Sequence, residues 1–145
     1  MPQVPPLLVV LAAGVAQRRL GSGSSPGVPR KVAATGVAAA SGWLLVGSVS
    51  RFRRAGTTVN PMEPSQASGL VTDGPNAVTR NPMYVGMAGA LTAHALLRGG
   101  WATVLPVAAF VGVVDRLQIV PEEAAMRDLF GKDYDAYCGR VRRWL

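Results

Sequence analysis

The chain has 145 residues, enough for one domain and short of two. Charged residues make up 16% of it, against roughly 25% in ordinary soluble domains, while the apolar share of 49% is ordinary. The net charge is +7, and the single cysteine, Cys138, excludes an intrachain disulfide and a cysteine-built metal cluster.

The placement of the charges decides the class. A bilayer-spanning helix takes about 20 mostly apolar residues. Val32 to Ser50 is 19 residues without a charge, Met83 to Leu97 is 15, and Trp101 to Val114 is 14. Basic residues border these runs, where they meet lipid headgroups. Aromatic residues do not interleave with them as on a base-stacking surface, so membrane lipid is the expected partner and nucleic acid is not.

In chain order, Met1 to Gln17 is uncharged, with its apolar part from Val4 to Ala16. Pro5-Pro6 suits a helix start, and the first span is expected over about 5–17. No basic stretch precedes it, so a cleaved signal peptide is not expected. Gly21 to Pro29 is a helix-breaking loop. The second span, about 32–50, lies between Arg30-Lys31 and Arg51, Arg53 and Arg54. Residues 55–81 form a long connector with Pro61, Pro64 and Pro75. It keeps Val59, Met62, Leu70 and Val71, which points to an ordered functional loop rather than a tether.

Asn81-Pro82 predicts a helix start, with Asn as N-cap and Pro in the first turn. The third span runs over about 82–97. Gly86, Gly89, Ala90 and Ala93 give it a small-residue face that another helix can approach. Arg98-Gly99-Gly100 is a tight turn into a fourth span, about 101–120, which passes Asp115 and Arg116 and is expected to kink at Pro106. Pro121-Glu122-Glu123 predicts a new helix with acid in its first turn. That helix is expected to end near Phe130-Gly131. The tail to Leu145 mixes aromatic and cationic residues, as membrane-interface segments do. The expected fold is all-α: a polytopic membrane bundle of about four transmembrane helices plus a C-terminal interfacial helix, in a single domain over 1–145.

Four spans put the 55–81 loop and the C-terminal segment, 121–145, on one side. That side carries ten basic residues, from Arg51 to Arg143, against five on the other, Arg18, Arg19, Arg30, Lys31 and Arg98. The excess predicts that the loop and tail face the cytoplasm, in an inner or plasma membrane. Their polar residues can then converge at the membrane edge. The candidates are Arg80, Asn81, Glu122, Glu123, Tyr134, Tyr137 and Arg140. Polar groups at a bundle's bilayer edge are functional candidates by default.

Gly74-Pro75 followed by Arg80-Asn81-Pro82-Met83-Tyr84-Val85-Gly86 resembles the Gly-Pro…Arg-His-Pro-x-Tyr-x-Gly motif of the isoprenylcysteine carboxyl methyltransferase-like family, whose relatives include the phospholipid methyltransferases. Glu122-Glu123, Phe130-Gly131, Tyr134, Tyr137, Arg140-Val141 and Trp144-Leu145 match in order and spacing, so the resemblance covers roughly residues 51–145. It implies that S-adenosylmethionine binds at the cytoplasmic membrane edge without a Rossmann domain. No G-x-G-x-x-G follows a strand pattern here. The resemblance also implies methyl transfer to a lipophilic or lipidated acceptor that enters between the helices. Arg80, Glu123 and Arg140 would orient cofactor and substrate. Gly74, Pro75, Asn81, Pro82, Tyr84, Gly86, Glu122 and Tyr134 would form the cofactor pocket. No metal is expected, because in-line displacement on a sulfonium needs alignment more than an acid or metal.

Three positions depart from the motif. Asn81 stands where His is usual, Asn76-Ala77 where Tyr-Arg is common, and Arg142 where Pro often follows Arg-Val. Asn76-Ala77 bears on substrate choice, or on loss of turnover. Plainer roles exist for each residue. Arg80 and Arg140 could be snorkelling anchors, the glutamates partners of a helix N-terminus, Gly86 a packing site, and Tyr134 and Tyr137 interface anchors. His94, roughly 15 Å or more from the loop by helical rise, reads as structural, and Cys138, with no His near it in sequence, is not read as a nucleophile. A non-catalytic membrane subunit or scaffold that keeps the fold is the first alternative, and cofactor binding separates the two. A small transporter would want a charged midplane site, which no span shows.

Overall fold

The computed structural model describes residues 5–57 and 67–145. They hold five α-helices: α1 Pro6–Leu20, α2 Val28–Arg54, α3 Pro82–Arg98, α4 Leu105–Val114 and α5 Val120–Arg140. No strand occurs among the described residues, in line with the all-α expectation. Pro61, Pro64, Val59 and Met62 of the connector lie outside the described residues.

All five helices carry a proline in their first two positions. A first-turn N–H has no intrahelical partner, so proline loses nothing there. This corrects the reading of Pro106, which opens α4 after a short 3-10 turn, Trp101–Val104, instead of kinking a longer helix. Asn81 also departs from expectation. It precedes α3, but its side chain makes no capping bond and instead donates to the tail. Arg18 and Arg19, Arg51, Arg53 and Arg54, and Arg98 sit inside the last turns of α1, α2 and α3. Cations complement the negative end of a helix dipole. The helices therefore run past the charges that the sequence reading used as borders.

Between α4 and α5 the chain does not break. Asp115–Ile119 forms a single π turn in which the Val120 N–H reaches back to the Asp115 carbonyl. The helical run from Trp101 therefore passes Pro121 without a break and reaches Gly131. The helix that carries the glutamates ends near Phe130-Gly131 as expected: Gly131 has φ 48° and ψ −122°, outside helical geometry, and a second helical stretch runs on to Arg140. Only glycine adopts such a φ at little cost.

Among the described residues, Val28–Arg54 and Trp101–Arg140 are the two helical segments long and apolar enough to cross a membrane. The second has 40 residues with a break at Gly131, and its stretch up to that break is roughly 45 Å of helical rise, longer than a hydrocarbon core of about 30 Å. Glu122, Glu123 and the charged residues after them follow the apolar run that opens this segment. Outer faces are apolar too: Val28, Val32 and Val46 on α2 and Trp101 are each more than half exposed. That arrangement suits lipid, not water.

Helix α3 lies close along α2. A Cβ on Gly86 would come 2.7 Å from Leu45 Cγ and 3.0 Å from the Ser41 carbonyl oxygen, and one on Gly89 would overlap Ser41 Oγ. The small-residue face predicted for span three is therefore where two backbones meet. Ala13, Tyr84, Leu91, Phe110, Val114 and Ile119 form the core, and Trp144 of the tail packs against it.

At one end of the bundle Gln17, fully buried, donates to the carbonyls of Leu91 and Thr103, both at 2.9 Å, while its oxygen meets His94 Nδ1 at 2.8 Å. His94 has the structural role read from sequence. The Arg30 guanidinium donates to Leu96 O at the same end, and Ser22 N to Gly99 O. The other end gathers the C-terminus of α2, the start of α3, the π turn and the tail.

Candidate functional site

The site starts from a glycine-proline turn. Gly74–Ala77 makes a 3-10 turn, entered at Gly74 with φ 58°. A Cβ on Gly74 would press within 3.0 Å of Arg51 Nε, and Arg51 pairs with Asp73 beside it. Pro75 is buried on Gly47 of α2, where a Cβ would come 2.8 Å from Pro75 Cγ. Both glycines thus permit close approach, and they fix the Asn76–Asn81 stretch over the end of the bundle.

Arg80 is the hub. Its backbone N–H donates to Arg142 O at 2.9 Å. Nη1 donates to the carbonyls of Val141 at 2.9 Å and Cys138 at 3.2 Å, and Nη2 to Glu123 Oε1 at 2.8 Å. Glu123 is 4% exposed and accepts a second arginine, Arg143, whose Nε and Nη2 donate at 3.0 and 2.7 Å. Arg143 Nη1 also reaches Asp115 at the head of the π turn, where Trp144 Nε1 donates at 3.0 Å. Its carbonyl accepts from Thr79 Oγ1 and Asn81 Nδ2. The loop, the π turn and the tail are one hydrogen-bonded unit.

Charges inside it are tuned by their partners. Burial pushes the Glu123 carboxyl up, but hydrogen bonds from Arg143 and Arg80 outweigh it and hold the group below its ordinary range. Burial likewise works to lower Arg80, and Glu123 more than offsets this, so the guanidinium stays above its ordinary value. Glu122 behaves oppositely. Burial pushes it up to about 7, against hydrogen bonds from Tyr84 and Gln118. Tyr84 OH donates to Glu122 Oε1 at 2.6 Å and Gln118 Nε2 at 2.7 Å. Adjacent glutamates therefore differ, one held ionised and one poised near neutrality.

Of the residues proposed from sequence, Arg80, Asn81, Tyr84, Glu122 and Glu123 come together here. Gly74 and Pro75 shape the turn, Pro82 opens α3, and Gly86 sits at the α2 contact. Tyr134 is buried, 4% exposed, with its ring 6.2 Å from Tyr137 and Arg127 5.6 Å over it. Tyr137 is buried as well and donates to Asn76 O at 2.6 Å. Neither ring is an exposed interface anchor. Arg140 is exposed and outside the ion-pair cluster. Arg143 fills the place beside Glu123. Arg143, Asp115 and Thr79 were not among the sequence candidates, and Asn76 was weighed only as a departure from the motif. Only the run of three arginines near the C-terminus hinted at the first of these. No group of side chains that could hold a metal occurs among the described residues.

Comparisons with known proteins agree with the motif. An uncharacterized protein of Haemophilus influenzae is 36% identical over 63 residues, covering 43% of this chain and all of that protein. No solved structure matches. Residues 29–133 match the phospholipid methyltransferase family. That match takes in both long apolar helices' span regions, the Gly74–Gly86 motif and the paired glutamates, and the chain belongs to the phospholipid methyltransferase family of membrane methyltransferases.

Proposed function

We propose that the protein transfers a methyl group from S-adenosylmethionine to a lipophilic acceptor, through a carboxylate or an amine of a prenylated or lipid molecule. One observation carries the assignment of the site. Arg80 Nε is buried and has no partner among the described residues, although both Nη atoms of that guanidinium are engaged. An unpartnered donor on a held arginine fits the carboxylate of the cofactor's amino-acid end. S-adenosylmethionine supplies a methyl on a sulfonium, open to in-line attack. The chain's residues position the partners. Glu123 and the tail carbonyls lock Arg80, while Glu122 and Tyr84 offer polar contacts to amino or hydroxyl groups. Gly74, Pro75, Asn81, Pro82, Gly86 and Tyr134 shape the surroundings. Arg140, on the outer surface, is free to orient the acceptor.

The reading includes four membrane crossings. Helices α1 and α3 have 15 and 17 residues, roughly 22 and 26 Å long, so they would cross with polar flanks or local thinning. The site side faces the cytoplasm. In a Cys138→Ser background, cysteines at the exposed Ala77 and at Lys132 should react with an impermeant thiol reagent only after cells are opened. Labelling of intact cells at either position refutes this topology.

The alternative is a scaffold that keeps the fold without turnover, which Asn76-Ala77 favours. Calorimetry on detergent-purified protein separates the two. S-adenosylhomocysteine, the demethylated cofactor, should bind with micromolar affinity, about −7 to −8 kcal/mol. Absence of heat and of any thermal shift at millimolar ligand would leave the scaffold.

A further inference from the structure

Asn76 occupies one of the positions at which the chain departs from the motif, and its surroundings give it a role. Its backbone is fixed at both ends. The N–H donates to Asp73 O at 3.1 Å, and the carbonyl accepts from Tyr137 OH at 2.6 Å. Packing of Pro75 on Gly47 fixes the residue before it. The residue is 3% exposed, and its side-chain Oδ1 is buried with no partner among the described residues. Buried polar atoms are nearly always paired, so an orphan in a well-held turn asks what completes it.

A second orphan lies four residues on, in the same loop. Arg80 Nε is buried and unpartnered, while Arg80 itself is bonded to the carbonyl of Cys138, the residue after Tyr137. Asn76, with its orphan acceptor, and Arg80, with its orphan donor, are thus bonded to successive residues of α5, Tyr137 and Cys138. A ligand completing both presents an N–H donor and an oxygen acceptor. An amino-acid end, with ammonium and carboxylate on one carbon, has that pattern.

We infer that Asn76 Oδ1 accepts a hydrogen bond from the ammonium group of the bound cofactor, making Asn76 a cofactor-recognition residue where the motif commonly has another side chain. The inference rests on the proposed function. It assigns Asn76 to ligand binding and so weakens the argument that this departure marks a lost activity.

The test compares wild type, Asn76→Leu, Asn76→Ala and Asn76→Asp in detergent, by thermal unfolding and by calorimetry with S-adenosylhomocysteine. Leucine removes the orphan acceptor, so the ligand-free protein should melt no lower than wild type. Its affinity for S-adenosylhomocysteine should fall tenfold or more. Aspartate keeps an acceptor and should bind within about threefold of wild type. If leucine fails to fold, alanine carries the same expectation for binding. Wild-type affinity in the leucine or alanine variant overturns the inference. A folded aspartate variant as weak as leucine also overturns it, since the amide would then be donating. Should wild type itself not bind S-adenosylhomocysteine, the proposed function falls and this inference with it.

Discussion

Glu123→Ala is expected to destabilise the protein by about 3–5 kcal/mol, the usual result of breaking a buried ion pair and leaving its partner charged. Glu123 is 4% exposed and Arg80 12%, so water cannot replace what is lost. Two arginines would then face each other without the carboxylate between them. Unfolding in detergent, by heat or denaturant, measures the loss. The pH dependence gives a second readout. The Glu123 carboxyl titrates below its ordinary value of 4.5 in the native protein. Its contribution is therefore complete above about pH 4.5, and it disappears as pH falls through the lower native value. Wild type should lose stability across that acid window, and Glu123→Gln should lose much less. An acid profile unchanged by Glu123→Gln would remove this carboxylate from the account.

The convergence of loop and tail was legible because it needs only the count of helices and the motif residues. Arg80, Glu122, Glu123 and Tyr84 sit at polar positions next to helix starts, and proline marks those starts plainly. The small-residue face of α3 was legible for a similar reason, since Gly86 and Gly89 lie at helical spacing. What sequence did not reveal depends on backbone geometry of single turns. Pro121 looks like a break, yet the π turn before it carries the helix on without interruption. A five-residue step shifts the facing of every later side chain by about a quarter turn. Gly131 looks like a stop and is one, with a second helical stretch starting after it.

The same reasoning explains Asn76 and Asn81. Both were weighed by residue type, Asn81 as a helix cap and Asn76 as a departure from a motif. Their roles come from what the tail and α5 bring to them: Arg143 O to the Asn81 amide, and Tyr137 OH to the Asn76 carbonyl. Those contacts span 61 and 62 positions of sequence. No local pattern encodes them.

Arg140 and Arg143 give the sharpest contrast between the two kinds of evidence. The motif favours Arg140, and the geometry favours Arg143. The cause is the end of α5. The helix stops at Arg140, and Val141 is extended, with φ −123° and ψ 131°, so the chain leaves the helix surface and turns back over Arg80. Arg140 stays on the outer face, while Arg143 is carried between Glu123 and Asp115. Arg143→Ala should therefore cost about 1.5–3 kcal/mol, the range for hydrogen bonds to charged groups. Arg140→Ala should stay within about 0.5 kcal/mol, as surface changes do. Arg143→Lys keeps the charge but cannot reach both oxygens of Glu123 and also Asp115, so most of the loss should persist. Thermal unfolding of the three variants decides the order. S-adenosylhomocysteine binding adds a second axis. Loss of Arg143 loosens the clamp on Arg80 and should weaken binding at least tenfold, whereas Arg140→Ala should leave it unchanged and affect only the acceptor. Equal stability and equal binding in Arg143→Ala and wild type would mean that the tail merely rests on the site. Weakened cofactor binding in Arg140→Ala would return that arginine to the cofactor pocket, in a conformation with the tail rearranged.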